Sequence, residues 1–227
     1  MTLDIEEATA ASAVLDYHHS AVRLFVEDAG CYRAPHMAGA VERLHDAVRD
    51  GIDYNVFNVP LHEQLSASAV ATHGVGFCLH KSLLFVTGCR KLGVPAILCS
   101  DSVTNHVADS AMLELVGGAE FLHWYARIYL NGRWIKAAPI FNALLCGLYG
   151  IEVLRFDPHR DSVRQPYRGG SRMQYRGRER WYPNPDMREI LRVIREKHPR
   201  MVVASGRTPA SHALRAPAGQ DCARSAD

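Results

Sequence analysis

Apolar residues recur at three- and four-residue spacing over 5–29, with Ala8, Ala11, Leu15, Val22 and Val26 sharing a stripe with His18. This period predicts a helix, which Gly30 stops. Pro35 opens a second helix, whose stripe of Ala40, Val41, Leu44 and Val48 ends at Gly51. The run from Ile52 to Val59 alternates poorly and closes at Pro60, and Ser66 to Thr72 is a short helical segment. Gly74 and Gly76 break the chain before a buried helix over Cys78–Leu92, which Gly93 and Pro95 end. Val94–Cys99 reads as a short strand, and 100–120 as a polar loop carrying one short helix. Phe121–Leu130 and Arg133–Ala138 are strands joined at Asn131-Gly132, the strongest hairpin signal in the chain. A helix near Asn142–Leu148, a strand near Glu152–Phe156, an Arg-rich loop over 157–180 and a helix over Asp186–Lys197 follow.

Helices first and an antiparallel sheet later predict an α+β fold. The 227 residues fit one domain over 1–200. Residues 201–227 are rich in Ala, Ser, Gly, Pro and Arg and read as a disordered tail. With 48% hydrophobic and 22% charged residues the bulk is globular. No apolar run is long enough to span a membrane. Asp4, Glu6 and Glu7 open the chain where a secretory signal would be basic, and six scattered cysteines form no Cys-x-x-Cys pair. Free thiols and a cytoplasmic location are expected. Residues 158–200 hold 12 Arg or Lys against 5 Asp or Glu. That basic stretch could be a nucleic-acid footprint, but with no recognition motif beside it it reads as a solvated surface, and a nucleic-acid partner is not expected.

Gly74-Val75-Gly76-Phe77-Cys78 carries the sharpest chemistry. A cysteine opening a helix faces unpaired backbone N–H groups. Those groups favour a thiolate and can hold an oxyanion. His123, on the strand before the hairpin, is the imidazole that could serve that thiol. His80 lies two residues beyond Cys78, and His106 falls in the polar loop. No spacing among Cys78, His80, Cys99 and His106 matches a zinc motif, and no cofactor is expected.

Gly76-Phe77-Cys78, Arg90-Lys91-Leu92-Gly93-Val94-Pro95-Ala96 and His123-Trp124 through Trp134, preceded by Val48–Tyr54, resemble the transglutaminase-like superfamily over about residues 38–157. The resemblance implies a papain-like cysteine core, with Cys78 as nucleophile and His123 as base. It implies acyl transfer or hydrolysis at an amide or thioester carbonyl of a peptide, protein or carrier-bound small molecule. Superfamily members include proteases, peptide amidases, protein cross-linkers and amide-forming enzymes. The Arg-rich 160–180 segment could engage an acidic partner such as a phosphopantetheine-bearing carrier. The family's aspartate falls on Ala138, before Pro139, and alanine cannot orient an imidazole. Asn142 and Asp157 are the candidate replacements, with Asp101 and Asn105 as loop candidates. A helix cap is the plain role for Asn142, and a turn before Pro158 for Asp157. The alternative function is noncatalytic binding on a degenerate transglutaminase-like fold.

Overall fold

The computed structural model describes residues 4–57, 59–104, 110–167 and 173–204. Asn105, His106 and most of the expected tail lie outside them. Eight helices accompany two sheets among the described residues. The helices are α1 (Ser20–Asp28), α2 (Met37–Gly51), α3 (Ala67–His73), α4 (Cys78–Lys91), α5 (Ser110–Val116), α6 (Ala143–Tyr149), α7 (Met187–Lys197) and α8 (Pro199–Ala204). Strands β1 (Asp53–Tyr54) and β2 (Val75–Gly76) form a small parallel pair. The main sheet is antiparallel: β5 (Arg133–Ala137), β4 (Glu120–Leu130) and β3 (Ala96–Thr104) run side by side. Both β6 (Gln174–Tyr175) and β7 (Arg180–Tyr182) pair with the far edge of β3. The fold is α+β, with helices packed on an antiparallel sheet.

Local chemistry accounts for the elements that the sequence pattern located. Asn131 (φ 53°) and Gly132 (φ 79°) both take positive φ, as a two-residue hairpin requires. Ser66, Asn142 and Asp186 cap α3, α6 and α7 through their side-chain oxygens. Helix α4 is buried on nearly every side, so its sequence is apolar around most of its circumference.

Four expectations differ from the structure, the first two because tertiary partners claim the backbone. The helix expected over 5–29 forms only as α1. Ala8 and Leu15 are fully buried, yet their segment is irregular. Its carbonyls serve distant groups: Ala8 accepts the amide of Ala96 (2.8 Å) and Ala10 accepts the Arg90 guanidinium (2.7 Å). No strand forms at Glu152–Phe156, where the Glu152 carbonyl takes Gln165 Nε2. Conversely, β3 runs on through Ser100–Thr104, which was read as loop. The final helix reaches Ala204, with Met201 and Val202 packed on the core.

Lys81 is fully buried on α4. Its Nζ donates to the carbonyls of Arg49 (2.8 Å) and Ile52 (2.6 Å), closing the C-terminal end of α2. Burial pulls its ammonium down to about 7. An unfolded lysine titrates near 10.4, so the unfolded chain binds more protons between those values, and stability gains with rising pH. Lys81→Met removes this dependence. The wild-type stability relative to Lys81→Met is expected to rise by up to about 4 kcal/mol between pH 7 and 10, read by urea unfolding at each pH. A constant difference would remove Lys81 as the titrating group.

Candidate active site

Gly76 lets β2 press against the first turn of α4. A Cβ there would stand 2.3 Å from His80 Cβ, so a larger residue would push the helix start away. Phe77 is the N-cap and makes no side-chain capping bond. The first amides of α4 therefore stay free for Cys78. Backbone N–H groups of Cys78, Leu79 and Trp124 all act on the sulfur and favour its thiolate form. The Trp124 contact spans two elements: β4 meets the helix start, and Ser82 Oγ donates to the Trp124 carbonyl (3.0 Å).

His123 adjoins Trp124 on β4 and is 6% exposed, and Cys78 is 7% exposed. Tyr175 joins them. Its ring stands edge-on to His123 at 6.1 Å, and a Cys78 thiolate would raise the affinity of its phenol for its proton. His123 Nε2 is buried with no hydrogen-bond partner.

The resting protonation differs from the sequence expectation. Burial outweighs the three N–H groups and pushes the Cys78 thiol up to about 11. The same desolvation pulls His123 down to about 4. Burial thus favours the neutral form of each side chain. Ion-pair formation needs a carboxylate near the imidazole or proton transfer coupled to bond formation.

Asn142 and Asp157 are occupied elsewhere. Asn142 Oδ1 accepts the Leu145 amide (3.0 Å) as the α6 cap. Asp157 bonds the His159 amide (2.8 Å) and Arg160 Nε (2.6 Å) in an exposed turn. Neither partners His123. Asp101 stands instead on β3, directly across from His123 in the strand register. Opposed residues share a sheet face, with Cβ atoms about 4.5–5.5 Å apart. Asp101 is buried, and its Oδ1 accepts the Ser102 amide (2.7 Å). Gly177 packs so closely on it that an added Cβ would lie 2.6 Å from Oδ1. β3 carries no other carboxylate and β5 carries none.

A second polar cluster, absent from the sequence reading, continues along this face. Tyr125 lies against His123 with nearly parallel rings at 6.1 Å and donates to Glu179 Oε1 (2.5 Å). Glu179 also receives Arg127 (2.8 and 3.1 Å), Lys136 (3.0 Å) and Trp181 Nε1 (2.8 Å). These partners come from separate strands, so no local spacing announces them. The Arg-rich segment, read as a solvated surface, contributes Glu179, β6 and β7 to the sheet.

The five cysteines among the described residues are free and buried. No group of three His, Cys, Asp or Glu side chains among the described residues is placed to hold a metal ion. No helix of the described residues is long and apolar enough to cross a membrane.

The family model of the Transglutaminase-like superfamily matches residues 30–139. These span α2, the Cys78 helix, the His123 strand and Ala138. A crystal structure from Cytophaga hutchinsonii, of a candidate cysteine protease, aligns with a TM-score of 0.48 and 16% identity. The alignment covers 80% of this chain and 54% of that one, so this chain spans about half the length of that structure. No curated protein matches the sequence.

Two outcomes follow. Iodoacetamide labelling of Cys78 in the resting protein, followed by peptide mapping, is expected to climb about tenfold per pH unit from 7 to beyond 9. A plateau near neutrality would show a preformed thiolate. The cations and hydrogen bonds around Glu179 hold its carboxyl down to about 2, against an ordinary glutamate. Its stabilisation is therefore complete above pH about 4.5 and lost as pH falls toward 2. Glu179→Gln should flatten that acid limb in thermal melts, and an unchanged limb would remove Glu179 as its source.

Proposed function

We propose that the protein, whose residues 30–139 match the model of the Transglutaminase-like superfamily, is a cysteine acyltransferase or hydrolase acting on amide or thioester carbonyls. One observation carries this reading. Cys78 sits where the free amides of α4 and the Trp124 amide converge on its sulfur, beside the strand that bears His123.

In the proposed cycle the Cys78 sulfur attacks the carbonyl carbon as its proton passes to His123. The C–S bond forms and the carbonyl becomes a tetrahedral oxyanion. The helix amides stabilise that oxyanion. The intermediate collapses as the imidazolium gives its proton to the departing amine or thiol. Water or an amine then attacks the thioester, again with His123 as base. The neutral side chains that burial favours fit a concerted proton transfer. Asp101 is the positioning residue in this reading: its carboxylate, cross-strand from His123, compensates the imidazolium that Ala138 cannot.

The test uses S-phenyl thioacetate and reads acetylation of Cys78 by intact mass and release of thiophenol. Cys78→Ala should abolish the adduct. His123→Ala should slow its formation by roughly 10²–10⁴-fold. Asp101→Asn should slow it about 10²-fold and shift the acid limb of the pH profile, whereas a purely structural role would leave that limb in place. Unchanged acetylation in His123→Ala would sink the mechanism.

A second reading, noncatalytic binding, is favoured by Ala138 at the aspartate position and by the near-complete burial of both Cys78 and His123. It requires that no thioester or amide acylates Cys78 at any pH.

A further inference from the structure

A pocket opens directly onto Cys78, between the start of α4, the first half of β4 and helices α5, α7 and α8. Its walls are almost entirely apolar: Phe121 and Trp124 on the strand, Met112 and Val116 on α5, and Met201 on α8. Of the polar side chains that line it, Tyr54, Cys78 and His198, the last is already satisfied. His198 Nδ1 donates to the Val116 carbonyl (2.8 Å), and its Nε2 accepts the Leu122 amide (2.9 Å). Burial pulls the His198 pKa down and keeps the ring neutral. No Asp, Glu, Lys or Arg lines the pocket.

The closed part of the pocket measures about 30 Å³, room for roughly two water-sized groups. It accommodates a short chain and no extended polymer. A charged or strongly polar group here would lose water and find no partner. A methylene chain would lose water to its advantage.

We propose that this pocket receives the acyl side of the substrate, and that the acyl group carried to Cys78 is a short, uncharged aliphatic chain. The inference rests on the acyl-transfer reading above. Acylation forms the S–C bond between Cys78 and the acyl carbon and breaks the bond to the leaving thiol, which departs with the proton relayed by His123. The leaving group lies on the opposite side of the carbonyl and is not selected by this pocket.

The experiment measures kcat/KM for acylation of the full chain by S-phenyl thioesters of acetate, propionate, butyrate, octanoate and succinate. From acetate to butyrate the rate should rise about fourfold per methylene. Octanoate should fall below butyrate, because its chain exceeds the pocket. Succinate, close to butyrate in length but charged, should be at least 100-fold slower than butyrate. Val116→Phe should fill the pocket and bring the butyrate-to-acetate ratio to about one, and Met201→Trp provides the same ratio test from the other wall. A flat profile with Cys78 acylated, or succinate preferred, overturns the pocket assignment while leaving the Cys78 mechanism intact. Acylation by none of the thioesters overturns the mechanism and this inference with it.

Discussion

The contact between α4 and the Trp124 backbone holds the rest of the site together. β5 pairs with β4 only from Ala126 to Leu130, so beyond Ala126 β4 has no β5 partner. Helix α4 takes up both backbone groups of Trp124: the amide acts on Cys78 and the carbonyl accepts Ser82. Helix α4 is thereby keyed to the strand through the side chains of Cys78 and Ser82 and the main chain of Trp124. The Trp124 amide that meets the Cys78 sulfur belongs to the residue next to His123 on β4. Gly76 on one side and the fully buried Lys81 on the other keep the helix at that depth.

Depth has an electrostatic consequence. The features that bring the helix start to the sulfur also exclude water from it, and exclusion of water dominates. Helix amides that would activate an exposed cysteine here only moderate the effect of burial. The same conditions leave His123 a weak base. Backbone donors therefore converge on a sulfur whose surroundings favour the neutral thiol.

Much of this architecture was legible from sequence where the determinants are local. Asn131-Gly132 fixes a hairpin by itself, and Ser66, Asn142 and Asp186 mark helix starts through bonds within three residues. Cys78 was visible because Gly76 and the apolar helix adjoin it. Asp101 was read as a loop candidate because Ser100, Asp101, Ser102 and Thr104 look like loop. Their strand character comes from pairing with β4, β6 and β7. Glu179 was missed because Arg127, Lys136 and Tyr125 lie more than 40 positions away. The thiol state was misjudged because helix position is written in the sequence and depth of burial is not.

Arg90 ties together parts of the chain that are made far apart in time. Its guanidinium reaches the carbonyls of Ala10, Ala96 and Pro183 (2.5–2.8 Å) from inside the core. During synthesis the first two acceptors exist as soon as β3 has been made. The third arrives only with residue 183, after the Cys78 helix and the His123 strand are complete. Until then the guanidinium lacks one of its three carbonyl acceptors, so a chain ending before residue 183 leaves one N–H of a buried arginine without its native partner.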